Sequence, residues 1–578
     1  MTSPAEAGPG DGFDVVILGG GSAGCVLAAR LSEDANRKVL LVEAGQDLAP
    51  GAIPAVIASP YPGRAYFNKD WTWPGLSVAM GVGTPERRAA TRPYEQARIL
   101  GGGSSINGIG ANRGAPADYD EWAAEGARGW NWDSVLPFFR KLEHDLDYQD
   151  GNTIHGHLGP IPVKRVPRAL HAGFVRHVEA ELQANGFAAR DDQNGAWEDG
   201  VYPIATNLDE GNARVSAAIG YLTETVRARP NLTIWTDSHA ERVLMDGVRA
   251  VGARISRAGR PLEVKARLVV VSCGALHSPA VLLRSGIGAP EQLSRLGIAT
   301  VVSRQGVGRN LQEHPSVGVS AYIPGQHRLP AGDHYHIQAI LRWSSGLAGA
   351  PQGDMHLAVN ARSGWHAVGH RIGTLFGWVN KSVSRGFVAL ASADPRTEPH
   401  VDFRLLSDPS DLVRLAASFR LSASILQGVA LRGGCQDAFP STYSERVKKW
   451  LRPDPVNGIA MGVVGPAMDA SAGLRRLVLK AANDGTPSVE ALVADETLLH
   501  DYLKLNVGGV WHPCGTCRMG AADDPAAVCD NRGAVIGTEG LVVCDASLMP
   551  TIPCANLNIP VLMIAEKIAD GIRHGSHD

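Results

Sequence analysis

At 578 residues the chain is too long for a single hydrophobic core, so two or more lobes are expected. Apolar content of 44%, charged content of 20% and a mean hydropathy near zero describe an ordinary globular protein. A net charge of −3 excludes a general attraction to nucleic acid or anionic lipid, and no apolar run is long enough to span a bilayer, which leaves a small, roughly neutral partner.

Residues 1–12, rich in Gly, Pro, Ala and Ser, have neither a basic n-region nor an apolar h-region. They read as the disordered leader of a cytoplasmic protein. The organising stretch follows: an apolar strand Val15–Leu18, the turn Gly19-Gly20-Gly21-Ser22-Ala23-Gly24, a helix from Cys25 to Leu31, a second strand Val39–Val42, and Glu43. Gly19 permits the tight turn, Gly21 lets a pyrophosphate approach the backbone, and Gly24 lets the helix pack on the strand. The helix start at Ser22 and Ala23 presents amides to phosphate. Glu43, with Ala44 beside it, stands 19 residues past Gly24, placed to accept hydrogen bonds from a ribose. A bare GxGxxG among 67 glycines is weak, but strand, helix and acid on schedule make it a dinucleotide site.

The loop that follows holds Trp71 and Trp73, which either cover a cofactor or anchor the loop. Next comes Ala97-Arg98-Ile99-Leu100-Gly101-Gly102-Gly103-Ser104-Ser105-Ile106-Asn107-Gly108. Its glycines and serines remove side-chain bulk, so the backbone can run against a flat ligand and offer it amides. Helical stretches opening at Asp118–Trp122 and Trp130–Trp132 suggest packing. Short β segments at 232–235, 242–245, 250–255 and 268–272 predict an antiparallel meander inserted in the nucleotide domain. The spacing then predicts a helix capped by Ser278 with Pro279 in its first turn, which makes His277 a structural histidine. Composition shifts around Gly306–Pro315, where the second lobe begins. A helix there is capped by Asp408 and ends near Gly428. Its histidines at 334, 336, 356, 366 and 370 fit no metal template.

Glycine returns before the far end, in Asn506-Val507-Gly508-Gly509-Val510-Trp511-His512-Pro513-Cys514-Gly515-Thr516-Cys517. The eight cysteines are scattered and expected as reduced thiols, and a lone CxxC makes neither a zinc site nor a redox unit. His512 is more informative. Between Trp511 and Pro513 its apolar surround disfavours the imidazolium, leaving a neutral nitrogen free to take a proton. The blocks around Asp545-Ala546 and Asn556-Leu557 lead into a terminal helix from Val561 to Ile572.

These words resemble the glucose-methanol-choline (GMC) family of FAD-dependent oxidoreductases over about 14–570, most of all its bacterial 5-hydroxymethylfurfural oxidase and aryl-alcohol oxidase branch. The resemblance implies an α/β fold: a Rossmann-like FAD-binding domain (13–166, 212–315 and 520–575) and an α+β substrate-binding domain (167–211 and 316–519). It implies FAD contacts at Gly19, Gly21, Ser22, Ala23, Gly24, Glu43, Ala44, Arg98, Gly102, Gly103, Ser105, Asn107, Gly108, Ile109, Ala240, Trp511, Asp545, Ala546, Asn556 and Leu557. His512 is then the base that takes the alcohol proton as hydride leaves for flavin N5, and Asn556 holds the alcohol oxygen. Amides of the terminal helix are placed for an isoalloxazine carbonyl. Ile106 stands where covalently flavinylated relatives carry histidine, so the FAD is expected to be non-covalent. The implied partners are a primary, aromatic or heteroaromatic alcohol and dioxygen or another acceptor, with no nucleic acid, membrane or metal. A hydroxynitrile lyase or a dehydrogenase with a non-oxygen acceptor stand as alternatives. The segment 436–490 is longer than the furfural-oxidase branch leads one to expect.

Overall fold

The computed structural model describes residues 12–148, 153–441, 444–483 and 485–575, so the expected leader lies, but for Gly12, outside the described residues. The chain opens as predicted with β1 (Phe13–Leu18), α1 (Ser22–Leu31) and β2 (Val39–Val42). Val16, Ile17 and Leu18 are fully buried, each worth roughly 1.5–3 kcal/mol of transfer free energy. The helix starts at Ser22, not Cys25, because Gly21 takes the extended N-cap position. That places the amides of Ser22 and Ala23 at its open end.

β1 pairs in parallel with β2, and β2 with β3 (Leu232–Trp235). The latter strand therefore belongs to the nucleotide sheet, not to the meander expected there. Alternation in four residues does not distinguish a parallel neighbour from an antiparallel one. The meander itself is β4 (Ser238–Asp246), β5 (Arg249–Arg257) and β6 (Arg260–Val271). β6 serves both layers. Its first half pairs antiparallel with β5 and its second half runs parallel to β1, which welds the meander to the main sheet. A final strand, Leu541–Val543, adds to β6 from the far end of the chain.

After β6 comes α2 (Gly274–Arg284), whose start is four residues before the expected Ser278 cap. Asp545 supplies the cap instead: its carboxylate accepts from Gly274 N at 2.8 Å and from Ser278 Oγ at 2.5 Å. Pro279 consequently lies inside the helix, where it cannot donate to the carbonyl of Ala275. Thr516 Oγ1 donates to that carbonyl at 2.6 Å. Replacing Thr516 by valine should leave this buried acceptor unpaired and cost about 1–3 kcal/mol, read as a lower denaturation midpoint at unchanged m-value.

The second lobe is built on a six-stranded antiparallel sheet. In chain order β7 (Ser316–Tyr322), β8 (Ile337–Trp343), β9 (Met355–Asn360) and β10 (Ile372–Val379) form its body, with Gly200–Pro203 at one edge. The long helix α3 (Pro409–Leu431) packs across β7 and β10. Its Asp408 cap accepts from Ser410 N at 2.9 Å. It runs past Gly428, whose missing side chain is replaced by the Glu181 carboxyl group, 2.3 Å from where a Cβ would sit. Strand β11 (Gln436–Pro440) closes the other edge. The long segment that follows contains the helices α4 (Glu445–Leu451), α5 (Pro455–Ala470) and α6 (Ala472–Ala482).

The terminal helix α7 (Asn558–Arg573) begins three residues earlier than expected, since Pro560 is tolerated in a first turn that needs no amide donor. It packs on α1 through Arg30, which donates to Glu566 at 2.8 Å. The lobes interleave: Ser77–Gly81, inside the expected block 13–166, pairs in parallel with His400–Leu405. Among the described residues no helix is long and apolar enough to cross a membrane.

Candidate active site

A cavity of about 650 Å³ is lined from both lobes. Its nucleotide side contains Gly19, Gly21, Ser22 and Ala23 from the first turn, Glu43 and Ala44 at the end of β2, and Gly102, Gly103, Asn107, Gly108 and Ile109 from the second glycine loop. Ala240, Asp545, Ala546, Asn556, Leu557, Trp511 and His512 face the same space. Three expected contacts are set back from it. Gly24 is spent on packing, since a Cβ there would meet Gly19 O at 2.0 Å. Ser105 is fully buried and donates to Leu100 O at 2.8 Å, while the Arg98 guanidinium lies 5.3 Å over the Trp73 ring.

Elementary sterics show that this side can take a dinucleotide. At Gly21, Gly103 and Gly108 nothing lies within 4 Å of where a Cβ would stand, so the backbone is open to a ligand at all three. Gly102, at φ +53°, brings the second loop against Gly21. The Glu43 carboxylate accepts from Gly20 N at 2.9 Å and Gly45 N at 2.7 Å. Burial pushes it up to about 7, and a ribose hydroxyl would be a further donor to it. Of the two loop tryptophans, Trp71 is buried in the core and Trp73 faces the cavity against His277, at 4.5 Å. His277 Nε2 is engaged by Glu398 at 2.9 Å, and the ring lines the cavity.

The opposite side carries the chemistry. Ile109 (φ 67°) and Trp511 (φ 60°) both hold the left-handed backbone region, which costs about 1–3 kcal/mol at each. Each flanks the cavity, and Trp511 turns the chain so that His512 faces inward. The order of hydrogen bonds fixes which ring nitrogen is free. His314 Nε2 lies 3.2 Å from Pro553 O and must donate to it. In a neutral His314, Nδ1 is then an acceptor, and it faces His512 Nδ1 at 2.9 Å. His512 therefore donates from Nδ1 and keeps its lone pair on Nε2, which faces the Asn556 amide nitrogen at 3.3 Å. Glu313 holds the frame: it accepts from His512 N at 2.7 Å, His314 N at 2.8 Å, Val510 N at 3.2 Å and Tyr94 Oη at 3.1 Å. Burial raises Glu313 to about 7 and lowers His512 to about 3.

Sequence reasoning singled out His512 and Asn556, which the structure brings into contact in one cavity, and passed over Glu313 and His314, which it took as part of a lobe boundary. The available signal was a titratable pair directly before Pro315. Glu313, His314 and His512 bring ligand-type atoms within 4.8 Å, as do Glu143, Asp145 and His155. In the first group the contacts just described already engage the carboxylate and both Nδ1 atoms. In the second, Arg113 and Arg165 pair with the acids.

Burial also couples the site to acid stability. His512 and His336 are held at about 3, and His239, His366 and His370 at about 4, against 6.5 in the unfolded chain. Each binds fewer protons folded than unfolded. Their contribution is thus complete above about pH 6.5 and is lost as pH falls toward 4. Glu43 and Glu313, raised to about 7, act in the opposite sense, contributing at low pH and losing that contribution as pH rises from 4.5. The histidines outnumber them, so Tm should fall continuously between pH 6.5 and 4.5. A flat profile would show that these rings are solvated.

A glycine-lined dinucleotide cradle opening onto a neutral imidazole in one cavity defines a dinucleotide-dependent oxidoreductase. The chain belongs to the GMC oxidoreductase family: the family's N-terminal model matches residues 13–316 and its C-terminal model residues 382–565. It is an FAD-dependent member. It is similar to a 5-(hydroxymethyl)furfural oxidase of Methylovorus sp. (strain MP688), 43% identical over 97% of this chain and 98% of that one. An oxygen-dependent choline dehydrogenase of Chromohalobacter salexigens is 33% identical over 97% and 95%. The crystal structure of pyridoxine 4-oxidase from Mesorbium loti superposes with a TM-score of 0.77 at 26% identity, covering 97% of this chain and 99% of that one.

Proposed function

We propose that the protein oxidises primary aromatic or heteroaromatic alcohols to aldehydes, with non-covalently held FAD and dioxygen as acceptor. The observation that carries this reading is the chain of contacts from Pro553 O through His314 and His512 to Asn556 inside the cavity, which assigns the free lone pair to His512 Nε2. FAD, when bound, supplies the two-electron acceptor for the carbinol hydrogen. His512 Nε2 takes the hydroxyl proton, and the Asn556 amide donates to the oxygen as negative charge develops there. Because His512 donates to His314 from Nδ1 in either protonation state, the ring need not turn during the transfer.

An apolar collar next to this pair suits an aromatic ring. Ile109, Ile340, Ala358, Phe376, Trp378 and Val510 cluster there. Non-covalent attachment is supported by Ile106, an inert side chain in the cavity wall at the flavinylation position of the family. The relatives that act on hydroxymethylfurfural and pyridoxine support the substrate class. We assign 13–166, 212–315 and 520–575 to the FAD-binding domain and 167–211 with 316–519 to the substrate domain, apart from the shared strand Ser77–Gly81. Benzylic alcohols, furfuryl alcohols and pyridoxine, each mixed anaerobically with the holoprotein, test the proposal. Bleaching of the flavin, with oxygen consumed on aeration, is expected; a flavin left oxidised by all three classes overturns it.

A further inference from the structure

We propose that the same cavity has a second, polar pole that binds a carboxylate at the far end of an elongated aryl alcohol, an inference that rests on the alcohol-oxidising function above. The sheet register sets the distance. At one level Trp378 pairs with both Ser316 and His356, and Ser316 is bonded to Gly508 just before the His512 segment. Four residues further along the same strands, Thr374 pairs with both Ser320 and Asn360. At 3.3 Å per residue the two levels are about 13 Å apart, with Phe376 and Ala358 between them on the same face. The helices α4 and α6 contribute Trp450, Leu451, Val478 and Leu479 to this part of the wall. The long segment 436–490 thus encloses the second pole.

What gathers there is polar and incompletely paired. Thr374 Oγ1 meets Ser320 Oγ at 2.7 Å and Ser363 Oγ at 2.6 Å. Arg362 lines the cavity at 1% exposure, its guanidinium 3.6 Å over the Tyr61 ring; Nη1 donates to Gly332 O at 3.2 Å and meets His370 Nε2 at 2.7 Å, Nη2 donates to His334 O at 3.5 Å, and the Asp333 carboxylate stands 4.0 Å away. His366 Nδ1 accepts from Gly369 N at 3.1 Å. Burial keeps this ring neutral, lowered to about 4, so the proton is on Nε2. Among the described residues Arg362 Nε, His366 Nε2 and Asn360 Oδ1 have no hydrogen-bond partner. Two unpaired buried donors, one on the Arg362 guanidinium itself and one on His366, are the complement of an anionic oxygen pair, and charge-assisted bonds of this kind are the strong ones. Ser363 Oγ donates to Ile372 O at 3.1 Å, so the hydroxyls of Ser363 and Thr374 would serve the same group by giving up bonds within this chain.

The test compares 4'-(hydroxymethyl)biphenyl-4-carboxylate with 4-biphenylmethanol on the holoenzyme. A kcat/KM about 10- to 100-fold higher for the acid is expected, and Arg362→Met should abolish the preference while benzyl alcohol turnover stays within about twofold. Should that variant fail to fold, Ser363→Ala combined with Thr374→Val must narrow the same preference. Equal kcat/KM for acid and parent alcohol overturns the proposal, as does a preference that survives these substitutions. The non-reactive biphenyl-4-carboxylate separates this inference from the function it builds on. If no alcohol reduces the flavin yet this acid raises the Tm of the holoenzyme and methyl biphenyl-4-carboxylate does not, the pole stands and only the reaction assignment falls. No difference between acid and ester overturns the pole itself.

Discussion

Replacing His512 by alanine is expected to lower turnover of a benzylic alcohol by about 10²- to 10⁴-fold while the flavin stays bound. That loss corresponds to about 3–5 kcal/mol of barrier. The nucleotide side of the cavity is built from the two glycine loops and the end of β2, whereas the His512 ring is bonded to His314 and Asn556. FAD content should therefore be unchanged. The substitution leaves His314 Nδ1 without its donor, a buried acceptor worth about 1–3 kcal/mol of stability. This is a tolerable loss for a chain with two large cores. The measurement is the anaerobic rate of flavin reduction under single-turnover conditions, alongside FAD content per protein. A variant within tenfold of the parent would remove His512 from the mechanism.

The second large effect separates folding from cofactor binding within one turn. At Gly19 the backbone has φ +104°, and a Cβ would sit 2.4 Å from Ser272 O, a main-chain atom held in the parallel sheet. Gly19→Ala therefore combines left-handed strain with overpacking, together about 2–5 kcal/mol, and should yield little folded protein. Two residues on, Gly21 has an ordinary φ of −72°, and an added methyl would meet nothing within 4 Å. Gly21→Ala should leave the stability of the apoprotein within about 0.5 kcal/mol of the parent, yet lower FAD affinity at least about 100-fold by placing a methyl where the pyrophosphate must approach. Extracted flavin per protein and apoprotein melting check both arms. Full flavin occupancy in Gly21→Ala would show that the cradle is used differently.

The elements that were legible in the sequence are those whose cause is local. Gly19, Gly21 and Glu43 could be placed because a strand, a turn and a helix over some thirty contiguous residues fix one another. The Asp408 cap of α3 could be read because capping spans three residues. The start of α2 could not. Its cap is Asp545 and its repaired carbonyl is served by Thr516, both more than two hundred positions away in the chain. Likewise β3 reads as the first strand of the meander until β2 is beside it.

For the site, the sequence by itself determined the chemistry on offer: a dinucleotide cradle, and an imidazole whose apolar neighbours keep it neutral. Tertiary structure alone decided which nitrogen of that imidazole is free, because the answer depends on a carbonyl at Pro553, a ring at 314 and a ring at 512 meeting in order. It also decided that the cavity continues past its apolar collar to Arg362, since register between strands far apart in sequence sets that distance. Local patterns encode what a residue can do; long-range packing and hydrogen-bond order select which of those things it does.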